Sequence, residues 1–177
     1  MLALAYNPRV ARRELKLSDK HLRALGRINA DFQELEFILI GSLGIVLGDE
    51  NVGSIIASYL PFKGLTELLE AILKDKFPPP AEQIEAFSGL FRRIRAAEDE
   101  RNRFIHSSWA VQPSGGHYWR RKYVRGSPIP RFEEFTSAQM EAIAASMRVL
   151  VAELRFLMEH VGGGESSTTS VGRTRSN

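Results

Sequence analysis

The chain has 177 residues, 44% apolar and 25% charged, and its basic and acidic side chains nearly balance at 24 against 21. That length and mixture fit one soluble domain with a single core, and they exclude a collagen-like, low-complexity or polyelectrolyte chain. With no cysteine, disulfides and thiol chemistry are excluded, and a cytoplasmic location is expected.

Residues 1–17 carry Arg9, Arg12, Arg13 and Lys16 against Glu14, and read as a basic leader. The charges follow the short apolar start instead of preceding it, which is not the order of a secretory signal. Ser18 and Asp19 then offer a helix start, a hydroxyl cap followed by a first-turn acid. Leu22, Leu25, Phe32, Leu35, Leu39 and Leu43 recur at helical spacing to about Leu47. The apolar run 37–48 is too short to span a bilayer, which needs about 20 residues, so no membrane contact is expected. Gly41, Gly44 and Gly48 mark a side where a neighbouring backbone would approach closely.

A short helical or irregular piece follows at 54–60, interrupted by Pro61. A second amphipathic helix covers 64–77 and is ended by the prolines at 78–80. Pro80 also suits the start of the third helix, which runs to Ile105. "SSWAV" and "HYWRRKYV", joined by turn residues, predict a β-hairpin. Thr136 and Gln139 match a capping box, and Phe135 and Met140 a hydrophobic staple, for a last helix ending near His160 and Gly162. The Gly/Ser/Thr-rich residues 162–177 read as a disordered tail. The expected fold is all-α: a bundle of four main helices over 18–161, with a β-hairpin inserted before the last helix.

One residue breaks the pattern. The apolar stripe of the third helix, read as Phe87, Leu90, Ile94, Ala97 and onward, places Arg101 on the packed face. A buried charge needs a partner or a function. Glu98 one turn earlier, or Glu34 or Glu36 on a neighbouring helix, would neutralise it; alternatively the charge lines a cleft against a second subunit. Asn102 and His106 share a helix face, whereas Arg101 and His106 stand about 140° apart by the helical period. To share a pocket, Arg101 must curl round its helix, or the two must meet across a subunit interface.

Arg101-Asn102-x-x-x-His106, late in a long helix and followed by another helix, resembles the Arg-x(4–6)-His signature of HEPN domains, and the bundle plan over about 18–160 is similar too. The resemblance implies a metal-independent endoribonuclease that works as a homodimer, with the two motif copies facing each other. Such domains serve as toxins or defence effectors, so an antitoxin or regulatory partner protein is implied. Carried over, Arg101 and His106 are the catalytic pair and Asn102 orients them, with Glu98 supporting. One HEPN subfamily has Tyr two residues after the His; here that place is Ser108, a departure from that subfamily. Other HEPN domains are non-catalytic modules that dimerise or bind RNA, nucleotides or a partner protein, which is the alternative.

The residues fit RNA chemistry independently. Imidazole titrates near neutrality, and guanidinium grips phosphate oxygens through paired N–H groups. Arg120, Arg121, Lys122 and Arg125, interleaved with Trp119 and Tyr123, combine cations for phosphates with rings for bases; the bland counterpart is a solvated hairpin packed on the bundle. His21, His106, His117 and His160 have no metal-ligand spacing, and neither metal nor cofactor is expected.

Overall fold

The computed structural model describes residues 17–111, 118–122 and 131–163. The expected leader and tail lie outside them except at Leu17, Gly162 and Gly163, as do Tyr123 and Arg125. Five α-helices are described: α1 (Asp19–Leu47), α2 (Glu50–Ser58), α3 (Phe62–Lys76), α4 (Ile84–Ile105) and α5 (Ser137–Gly163). Between α4 and α5 lie strands β1 (Ser108–Val111), β2 (Tyr118–Lys122) and β3 (Arg131–Glu134), an antiparallel sheet in the order β1-β2-β3.

Local chemistry sets the helix ends. The Ser18 hydroxyl accepts from His21 N–H and caps α1. Gly48 ends α1 at φ 73°, a conformation that disfavours a side chain, and the N–H groups of Gly48 and Asp49 close on Ile45 and Gly44 carbonyls. Asp49 caps α2 through Asn51 and Val52 N–H. At α5, Thr136 N–H donates to Gln139 Oε1 at 2.8 Å and Gln139 N–H returns to Thr136 Oγ1 at 3.2 Å. This is the reciprocal capping box, with Phe135 and Met140 both buried beside it.

Cross-helix contacts give the directions. Arg27 pairs with Glu141, Asp31 with Arg148 and Glu34 with Arg155, so the partners climb together and α1 runs parallel to α5. Phe62 meets Phe32 and Lys76 meets the Val46 carbonyl, so α3 is parallel to α1 as well. Arg95 pairs with Glu70 and Lys74 lies over Phe87, which makes α4 antiparallel to α3. Two successive parallel helices need a return segment, and α2 supplies it. It crosses α1 at Gly44 and Gly53, where a Cβ on Gly53 would stand 2.5 Å from the Gly44 Cα. The close approach read from the glycines is therefore made by Gly44, while Gly41 faces open space and Gly48 serves as the cap.

The core joins Leu35, Leu39 and Leu43 of α1, Leu69 and Leu73 of α3, Phe91 and Ile94 of α4, and Met140, Met147 and Leu154 of α5. The sheet is fastened to it by Phe104, which packs on Trp109 and, edge-on, on Phe135. Two features differ from the sequence reading. Residues 50–58 form a full helix, and the expected hairpin gains a third strand. No helix among the described residues is long and apolar enough to cross a membrane.

Candidate functional site

The C-terminal turn of α4 brings together three of the residues singled out by the sequence. Arg101 Nη1 donates to Asn102 Oδ1 at 2.9 Å and reaches His106 Nε2 at 3.5 Å. Its guanidinium lies over the ring of Phe32, 5.4 Å from the centroid. The angular separation that kept Arg101 and His106 apart assumes both are helical. His106 is the residue after the last helical one, at φ −93° and ψ 15°, with its N–H on the Asn102 carbonyl. That bond keeps His106 at its helical position, so the contact is made by the long arginine side chain, which curls round the helix within one chain.

The electrostatics of this turn are unusual. Arg101 is half-buried, yet no carboxylate among the described residues lies within ion-pair distance of it. Its Nε is buried without a hydrogen-bond partner. Glu98, the expected neutraliser, makes no ion pair with any described cation, and Glu34 is committed to Arg155. An arginine has only donors, so a hydrogen bond from it to His106 engages the Nε2 lone pair. His106 is exposed and Asn102 half-buried, so the turn opens to solvent on the histidine side.

The basic strand behaves differently. In β2, Arg120 stands in register between Trp109 of β1 and Glu133 of β3. It is only 4% exposed. Its Nη2 donates to Glu133 at 2.6 Å and its Nη1 to the Arg103 carbonyl at 2.9 Å. Arg120 was expected to meet RNA; it is folded inward, its charge spent on Glu133, and it offers a phosphate no free face. Arg121 and Lys122 are placed by backbone alone as the last residues of β2. Trp119, half-buried, registers with Ala110 and Glu134 on the other side of the sheet. On that side Phe132 is 52% exposed, a ring that the sequence reading did not single out because β3 was not recognised as a strand.

Arg103 and Glu133 also went unnoticed. Arg103 donates to Glu133 at 3.0 Å and to Glu100 at 3.4 Å, and lies over Phe135. The bonds from Arg103, the larger influence, and from Arg120 hold the Glu133 carboxyl below its ordinary range. Arg–Glu neighbours at this spacing read from sequence as solvated charges, and only the fold of β3 reveals the cluster. Comparison of the chain with protein families, with characterised proteins and with solved structures gives no match.

Proposed function

We propose that the chain is a metal-independent endoribonuclease of HEPN type, acting as a toxin or defence effector. One observation carries the reading: a half-buried arginine with no carboxylate among the described residues within ion-pair distance, touching the Nε2 of an exposed histidine. A cation left without its counter-ion is suited to an incoming anion, and the phosphodiester is the anion that an adjacent imidazole can act upon.

In the proposed reaction, the incoming phosphate draws Arg101 off His106, and the Nε2 lone pair so freed takes the proton of a ribose 2′-hydroxyl. The 2′-oxygen attacks phosphorus as the P–O5′ bond breaks. Arg101 holds the non-bridging oxygens, whose charge rises in the transition state, and Asn102 steers the guanidinium through Oδ1. The departing 5′-oxygen takes a proton, which the facing pair of a second copy would supply in the homodimer that the HEPN resemblance implies. The products are a 2′,3′-cyclic phosphate and a 5′-hydroxyl. DNA has no 2′-hydroxyl and is not cut. RNA is then the substrate, with Trp119 and the exposed Phe132 offering rings for bases.

The test is cleavage of a mixed single-stranded RNA in excess EDTA by the wild type and by His106→Ala, matched for folding by circular dichroism. The proposal expects cyclic phosphate ends from the wild type and a loss of about 10²-fold or more in the variant. Equal cleavage by both, or none by the wild type, overturns it.

A further inference from the structure

We infer that Glu133, Arg120 and Arg103 form a clamp that positions the Arg101–His106 pair, with Glu133 as its central positioning residue; as a statement about function this rests on the ribonuclease reading above. The last carbonyls of a helix have no partners within the helix, and helix ends fray. The pair straddles just such an end: Arg101 stands just before the last turn of α4 and His106 lies beyond it. Their contact depends on a fixed backbone from 103 to 106.

The sheet fixes it. The Arg103 carbonyl accepts from Arg120 Nη1 and from the Ser107 hydroxyl, and Arg120 Nη1 also reaches Ser107 Oγ at 3.4 Å. The other end of the Arg120 guanidinium holds Glu133, and Glu133 holds the side chain of Arg103. The circuit is closed: backbone of α4, β2, β3, and back to α4. It grips the residue two after Arg101 and the residue directly after His106.

The charges divide in the same way. Arg103 and Arg120 face Glu100 and Glu133, two against two, so the clamp is neutral within itself. Of Arg101, Arg103 and Arg120, only Arg101 has no carboxylate among the described residues within ion-pair distance. A buried ion pair adds little net stability over well-packed apolar side chains of similar size. What this one supplies is a set of directional bonds, where Arg120→Met or Arg120→Leu would leave the Arg103 carbonyl to Ser107 alone.

The experiment uses the full chain with Glu133→Gln and Glu133→Asp. It reads kcat and KM for RNA cleavage and the NMR signals of the His106 ring, assigned by their loss in His106→Ala. Glu133→Gln should lower kcat about tenfold or more with KM within about twofold, since displacement by an ångström costs rates of this order. Its His106 ring signals should move toward those of Arg101→Ala, and Glu133→Asp should restore part of both. Unmoved ring signals in folded Glu133→Gln overturn the clamp. A wild type that cuts no RNA sinks the ribonuclease reading by itself, and the ring signals then decide the clamp alone. Should Glu133→Gln not fold, Ser107→Ala removes one bond to the Arg103 carbonyl and leaves the ion pairs. A shift of the ring signals in the same direction supports the clamp, and no shift overturns it.

Discussion

Two arginines lie near one end of the bundle and have opposite surroundings. Arg120, in the middle of the sheet, is nearly inaccessible and spends its charge on Glu133. Arg101, just before the last turn of α4, is half-buried and meets an amide oxygen, a phenyl face and an imidazole nitrogen, but no acid among the described residues. Burial alone does not separate the two arginines; on the function proposed above, the counter-ion does. An arginine already paired has little left for a ligand, whereas an unpaired one is tolerated only where partial exposure or a ligand relieves the cost.

The comparison is broken most directly by placing the same substitution at both sites. Arg101→Met keeps an apolar stem over Phe32 and removes a charge that no acid among the described residues neutralises. Its stability should stay within about 1 kcal/mol of the wild type, while RNA cleavage falls roughly 10²–10³-fold. Arg120→Met strips a partner from Glu133 and leaves the Arg103 carbonyl to Ser107 alone. Breaking a buried pair costs about 3–5 kcal/mol, but Glu133 is partly exposed and keeps Arg103, so a loss of about 2–3 kcal/mol is expected. In a chain of this size that is roughly 5–10 °C of melting temperature. Thermal melts of both variants decide it. If Arg101→Met is the less stable of the two, the assignment of roles is reversed.

Acid sharpens the same contrast with a smaller effect. Glu133 titrates below the ordinary 4.5, chiefly through its bond from Arg103 and then that from Arg120. Glu70 is also lowered: burial pushes it up, but the bonds from Lys74 and Arg95 outweigh that. A carboxyl lowered by folding adds stability that is complete above its unfolded value and is lost as pH falls through its folded value. The wild type should therefore lose stability as pH drops below about 4.5. Glu133→Gln should start less stable and show a shallower fall over that interval, because one of the contributing carboxyls is gone. Urea melts at about pH 5.5 and about pH 3.5 give the two slopes, and equal slopes would remove Glu133 from the set.

Much of this was legible in the chain, for reasons that also explain the gaps. The ends of α1 and α5 were readable because Ser18, Thr136 and Gln139 act on backbone groups within three residues of themselves. Arg101 stood out because the apolar period is strict enough to expose a misplaced charge. β3 was lost because it is four residues long, three of them charged, and its Phe132 points to solvent. Without β3 there was no Glu133 beside Arg120, and a buried arginine inside a basic run reads as one more solvated cation. Helical geometry gave the Arg101–His106 separation and the two ways to bridge it, but only the folded chain shows the arginine curling round within one chain.

The least effect is expected at Glu98, and it bears on the same question of counter-ions. From the helix alone, Glu98 is the natural neutraliser of Arg101, one turn earlier. In the folded chain it makes no ion pair with any described cation, while Arg101 turns toward the C-terminal end of α4. Glu98→Gln should then change stability by less than about 0.5 kcal/mol, as for other substitutions away from a specific contact, and change cleavage by less than about twofold, which is under 0.5 kcal/mol of barrier. A large rise in RNA affinity on removing Glu98 would mean that its carboxylate competes with phosphate for Arg101 in solution. The arginine would then have a counter-ion after all, one that the substrate must displace.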